Sequence, residues 1–86
     1  NITVIEGFRV QVFATQDRVK ADQLQEELTL RFKESIYIIF EAPNYKLRMG
    51  DFLDRDKAEI LRMELAASNY PSSWILRTKI QPVILE

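Results

Sequence analysis

Twelve consecutive residues, Asp17-Arg-Val-Lys-Ala-Asp-Gln-Leu-Gln-Glu-Glu-Leu28, return as Asp54-Arg-Asp-Lys-Ala-Glu-Ile-Leu-Arg-Met-Glu-Leu65, with seven positions identical at a constant offset of 37. Self-similarity of this kind marks two copies of one supersecondary unit. The copies cannot be separate domains, because 86 residues are too few to close two cores. The match extends backwards, where Phe8-Arg9-Val10-Gln11-Val12 lies over Tyr45-Lys46-Leu47-Arg48-Met49, and forwards, where Tyr37-Ile38-Ile39 lies over Trp74-Ile75-Leu76.

Each copy reads strand, helix, strand. Alternation puts Val10 and Val12 on one face of the first strand and Arg9, Gln11 and Phe13 on the other. In the second copy it puts Tyr45, Leu47 and Met49 on one face and Lys46 and Arg48 opposite. Ala21, Leu24, Leu28 and Phe32, then Ala58, Leu61 and Leu65, recur at helical spacing, which predicts helices over 17–33 and 54–68. Asp17 and Asp54 suit N-caps, since a carboxylate accepts from the free amides of a first turn. Capping and solvated first-turn charge also account for Arg18, Lys20, Arg55 and Lys57. Ile36–Phe40 and Trp74–Leu76 form the second strand of each copy.

Glu41-Ala42-Pro43-Asn44 reads as the turn between copies. So short a link joins antiparallel strands but not parallel ones. The expected fold is therefore α+β, a ferredoxin-like or RNP-type βαββαβ arrangement with a four-stranded antiparallel sheet and two helices on one face. The other face of the sheet is left open. By extent, 1–6 is an N-terminal flank, 7–80 is the domain (half-repeats at about 8–40 and 45–78), and 81–86 is a C-terminal tail whose Leu85-Glu86 reads as a vector scar. The chain opens on Asn1, as an excised piece of a longer protein would.

Composition excludes several kinds of chemistry. The sequence has no cysteine and no histidine, which removes thiol catalysis, zinc-finger ligation and the usual base of a nucleophilic triad. No cofactor or metal is expected. A net charge of −1 lacks the basic excess that phosphate backbones attract, so no nucleic-acid partner is expected. No apolar run reaches the ~20 residues of a membrane span. Asp22, Glu26, Glu27, Glu59 and Glu64 all fall on the helices, leaving Glu41 alone near the open sheet, and one carboxylate is not a hydrolytic pair. The chain is not expected to be an enzyme.

Arg9-Val-Gln-Val12, the Lys-Ala-x-x-Leu helix, Tyr45-Lys-Leu-Arg-Met-Gly-Asp-Phe52 and Ser73-Trp-Ile-Leu-Arg-Thr-Lys79 together resemble the sporulation-related repeat (SPOR) domain, over about residues 7–80. The resemblance implies a non-catalytic, monomeric bacterial module that binds peptidoglycan glycan strands through its sheet face. The preferred strands would lack stem peptides, as at division septa, and the location would be the periplasm or cell envelope. Such a module directs a larger envelope or division protein. Gln11 matches the family's strand-one glutamine, Lys46 and Arg48 its two basic positions, and Gly50 and Phe52 its turn into the second helix. Phe13-Ala14 departs from a common Gly-Ser, and Asp51 from a common proline.

The candidate glycan-binding residues are Gln11, Arg48, Lys46, Arg9, Phe13, Tyr37 and Trp74. A glutamine amide both donates and accepts, and an arginine offers a planar donor fork. Aromatic rings pack on the C–H faces of sugars. Trp74 shares a face with Leu76, and Ile75 shares the other with Arg77, so sequence leaves open whether Trp74 and Tyr37 face the core or the open sheet. The alternative function on the same fold is an RRM-like nucleic-acid-binding or protein-interaction domain.

Overall fold

The computed structural model describes residues 4–81. Its elements run β1 (Ile5–Thr15), α1 (Arg18–Arg31), β2 (Ile36–Glu41), β3 (Asn44–Phe52), α2 (Arg55–Ala67) and β4 (Trp74–Ile80). All strand pairs are antiparallel, and the sheet order is β2-β3-β1-β4, so both first strands of the repeat are central. The expected βαββαβ fold is the one observed.

Both helices start on the predicted aspartates. Asp17 accepts from the amides of Val19 (3.0 Å) and Lys20 (3.3 Å), and Asp54 accepts from that of Asp56 (2.9 Å). The end of α2 is closed by Asn69 at φ +75°, with the Tyr70 amide on the Leu65 carbonyl at 2.9 Å. One core joins the layers: Val10, Val12, Leu47 and Met49 from the sheet meet Ala21 and Leu28 of α1 and Ala58, Leu61 and Leu65 of α2. The helices therefore share one face of the sheet.

β1 starts at Ile5, inside the stretch read as flank, because Ile5 pairs with Ile80 and Glu6 with Lys79. Leu85 and Glu86 lie outside the described residues. The turn between copies is tighter than the four residues expected: Glu41 pairs directly with Asn44, across Ala42 and a cis Pro43.

Simple alternation fails at two places, and both are β-bulges. The register passes from Gln11↔Arg48 to Phe13↔Leu47, which adds one residue to β1, and from Met49↔Val10 to Phe52↔Phe8, which adds one to β3. A bulge reverses the facing of the strand residues beyond it. Phe13 consequently sits opposite Leu47 and packs on the helix-side core, not beside Arg9 and Gln11 as alternation predicts. Gly50 and Phe52 end β3 rather than forming the turn into α2. Gly50 takes φ +85°, and a Cβ there would collide with the Phe52 ring, so the position requires glycine.

Candidate functional site

The open face carries one straight row across all four strands. Tyr37 of β2 pairs with Arg48 of β3, Arg48 with Gln11 of β1, and Gln11 with Trp74 of β4. The repeat orders this row. Gln11 and Arg48 are equivalent positions meeting at the centre, and Tyr37 and Trp74 are equivalent positions at the two ends. The structure thus places both aromatic side chains on the open sheet. Ile75, by contrast, pairs with Val10 and packs on the core.

At the centre, Arg48 Nε donates to Gln11 Oε1 at 3.1 Å. This orients the glutamine amide, and among the described residues its NH2 group makes no hydrogen bond. Arg48 is 9% exposed, far less than an outward-facing residue of a bare strand. Its neighbour Lys46 shares the same face, and Glu41 joins the two: its Oε1 lies 2.6 Å from Lys46 Nζ and 3.5 Å from Arg48 Nη2. The hydrogen bond from Lys46, its charge and that of Arg48 together hold the Glu41 carboxyl below its ordinary pKa.

The two halves of the face differ in how they are filled. Beside Tyr37, Arg9 Nη2 lies 2.9 Å from Asp51 Oδ1, the Tyr37 hydroxyl donates to Asp51 Oδ2, and the Gln81 amide donates to Oδ1 at 3.1 Å. The Arg9 guanidinium stacks 3.9 Å from the centre of the Tyr37 ring and covers one of its faces. Burial raises the Tyr37 pKa, and the hydrogen bond to Asp51 raises it further. Arg9, though on the same face as Gln11, Lys46 and Arg48, bonds to none of them. It is 8% exposed and committed to Asp51 and Tyr37.

The other half lacks this brace. The repeat equivalent of Asp51 is Ala14, and that of Arg9 is Lys46. Ala14 pairs with Lys46, but it offers no carboxylate, and Lys46 turns to Glu41. Trp74 keeps 49% of its surface exposed. A depression of 290 Å³ lies beside it, lined by Gln11, Phe13, Ala14 and Ser72. Ser72 also lines the depression; it and its repeat equivalent Ser35 lie in loops before β4 and β2, where strand alternation gives no signal. Phe13 lines the depression as well, although it packs on the helix-side core with Lys20 Nζ 5.4 Å from its ring centre.

A larger groove of 670 Å³ runs between the helices, lined by Phe32, Ile60 and Leu61 among charged side chains of both signs. Among the described residues no group of three or more acidic side chains is placed to hold a metal, and no helix is long and apolar enough to cross a membrane.

The SPOR domain family model matches residues 6–77. The chain belongs to that family, whose members are peptidoglycan-binding rather than catalytic modules and occur in bacterial cell-envelope and division proteins. Neither the curated proteins nor the solved structures gave a match.

Proposed function

We propose that this SPOR domain binds peptidoglycan glycan strands lacking stem peptides across the open sheet face, in the periplasm, and so directs a larger division or envelope protein to the septum. The observation that carries the reading is the exposed Trp74 ring beside a depression that Gln11 lines, with Gln11 itself held by Arg48. A sugar stacked on Trp74 would bring its hydroxyl and acetamido groups to the Gln11 NH2 group, with Ser72 offering a further hydroxyl. The sequence suggests Glu41 alone near the open face, but Asp51 lies there too. Each carboxylate is held in ion pairs, Asp51 with Arg9 and Glu41 with Lys46 and Arg48, an arrangement suited to binding rather than hydrolysis.

Glycan is favoured over nucleic acid by the charge arrangement. The cations on the face are too few to follow a run of phosphates, since Arg9 is locked to Asp51 and only Lys46 and Arg48 remain, in one corner with Glu41. The central strands also present polar side chains where base-stacking sheets present aromatic ones.

Co-sedimentation with sacculi tests the proposal, using intact and amidase-treated material with single-stranded RNA as comparator. Retention on amidase-treated sacculi above intact ones, with weak RNA binding, is expected. Tight RNA binding with a steep salt dependence, and none to sacculi, would reverse it.

A further inference from the structure

The Lys46–Arg48–Glu41 corner sets two cations of a central strand, one of them fastened by Gln11, against a loosely held anion. Lys46 and Arg48 project from a central strand, and Arg48 is fastened by Gln11 at 3.1 Å. Their side chains are 26% and 11% exposed, whereas that of Glu41 is 53% exposed at the strand end and, among the described residues, bonds only to the two cations. An ion pair whose carboxylate is so open to water is weak, so a second carboxylate replaces the first at little cost. The guanidinium and ammonium together present a donor set suited to one carboxylate. Glu41 therefore occupies a place that an external carboxylate fits, at one end of the central Gln11–Arg48 pair.

We infer that Lys46 and Arg48 recognise a carboxylate of the bound glycan, which takes the place of Glu41. This rests on the glycan reading above and specifies its chemistry. Loss of a stem peptide breaks the amide on the lactyl group of muramic acid and leaves a free carboxylate on that sugar. Intact strands carry a neutral amide there. The corner would thus distinguish the two strand types by charge, and not only by room. The lowered pKa of Glu41 is consistent with a corner whose field favours a carboxylate over a carboxylic acid.

The test uses three oligosaccharides of equal length: alternating N-acetylglucosamine and muramic acid with free lactyl carboxylates, the same chain with those groups converted to methylamides, and a chitooligosaccharide. Trp74 is the only tryptophan, so its fluorescence reports binding in each case. The free acid is expected to bind at least 10-fold more tightly than the methylamide, with a preference that shrinks as salt rises. Lys46→Gln should largely abolish that preference, and Glu41→Gln should tighten acid binding about 3-fold or more by removing the competing carboxylate. Equal binding of acid and methylamide, or a Glu41→Gln protein no tighter for the acid, overturns the inference while leaving glycan binding standing. Failure of all three sugars to bind overturns the glycan reading and this inference with it.

Discussion

The guanidinium of Arg9 lies 3.9 Å from the ring centre of Tyr37, and both side chains bond to the carboxylate of Asp51. The arrangement locks one end of the sheet face. Among the described residues Arg9 Nε has no hydrogen-bond partner, so Asp51 is the anion on which this buried cation depends. Asp51→Asn keeps the shape and removes the charge. It should destabilise the fold by about 2–3 kcal/mol, below the range for a fully buried pair because the Asp51 side chain is 14% exposed. Urea unfolding of the variant beside the parent measures this.

The same residue sets an acid limit. Burial works against ionisation of Asp51, but the Tyr37 hydroxyl, the Gln81 amide and the Arg9 guanidinium outweigh it and hold the pKa below the ordinary 3.8. A carboxyl with a folded-state pKa below its unfolded one contributes fully above the unfolded value. That contribution is lost as pH falls through the folded value. The stability gap between parent and Asp51→Asn should be constant from pH 7 to about 5 and narrow below about pH 4. A gap that widens in acid would contradict the assignment. Denaturant midpoints across this range supply the measurement.

Ala14 stands where the repeat has Asp51, and it lines the depression beside Trp74 with a small side chain that carries no carboxylate. Ala14→Asp should draw Lys46 across the strand pair and fill the depression. Glycan affinity is expected to fall about 10-fold or more, equivalent to ~1.4 kcal/mol. The fold should be little affected, since Ala14 is exposed and exposed substitutions usually change stability by under ~0.5 kcal/mol. Titration of denuded glycan by Trp74 fluorescence, beside a melting curve, separates the two effects.

The fold was readable because the repeat and the apolar spacing agree. The same offset that aligns Asp17 with Asp54 also aligns the strands on either side, and antiparallel joining across Pro43 leaves one arrangement. The site was readable only in part. Gln11, Arg48 and Lys46 lie where alternation puts them. Phe13 does not, and Asp51 reaches the open face only because the Gly50–Asp51 bulge reverses its direction. A bulge depends on backbone pairing between distant strands, and period-two counting along one strand cannot detect it. The facing of Trp74 needed its register against Gln11, which is likewise long-range.

Single substitutions along the row should separate binding from stability. Trp74→Ala removes a half-exposed ring and should weaken glycan binding by about 1–2 kcal/mol, roughly 5- to 30-fold, with little change in melting. Gln11→Ala should cost ~0.5–1.5 kcal/mol of binding for each sugar hydrogen bond lost. Arg48→Ala should weaken binding and also lower stability by about 1 kcal/mol, because Arg48 is largely buried and bonded to Gln11. Parallel binding and melting curves for the three proteins test this ranking.

The most direct measurement of the central claim is a map of backbone amide chemical shifts during titration with a defined glycan oligosaccharide lacking stem peptides. Shifts should concentrate at Gln11, Ala14, Lys46, Arg48, Ser72 and Trp74 on the open face. Shifts concentrated at Phe32, Ile60 and Leu61 in the groove between the helices, or none at saturating sugar, would contradict it.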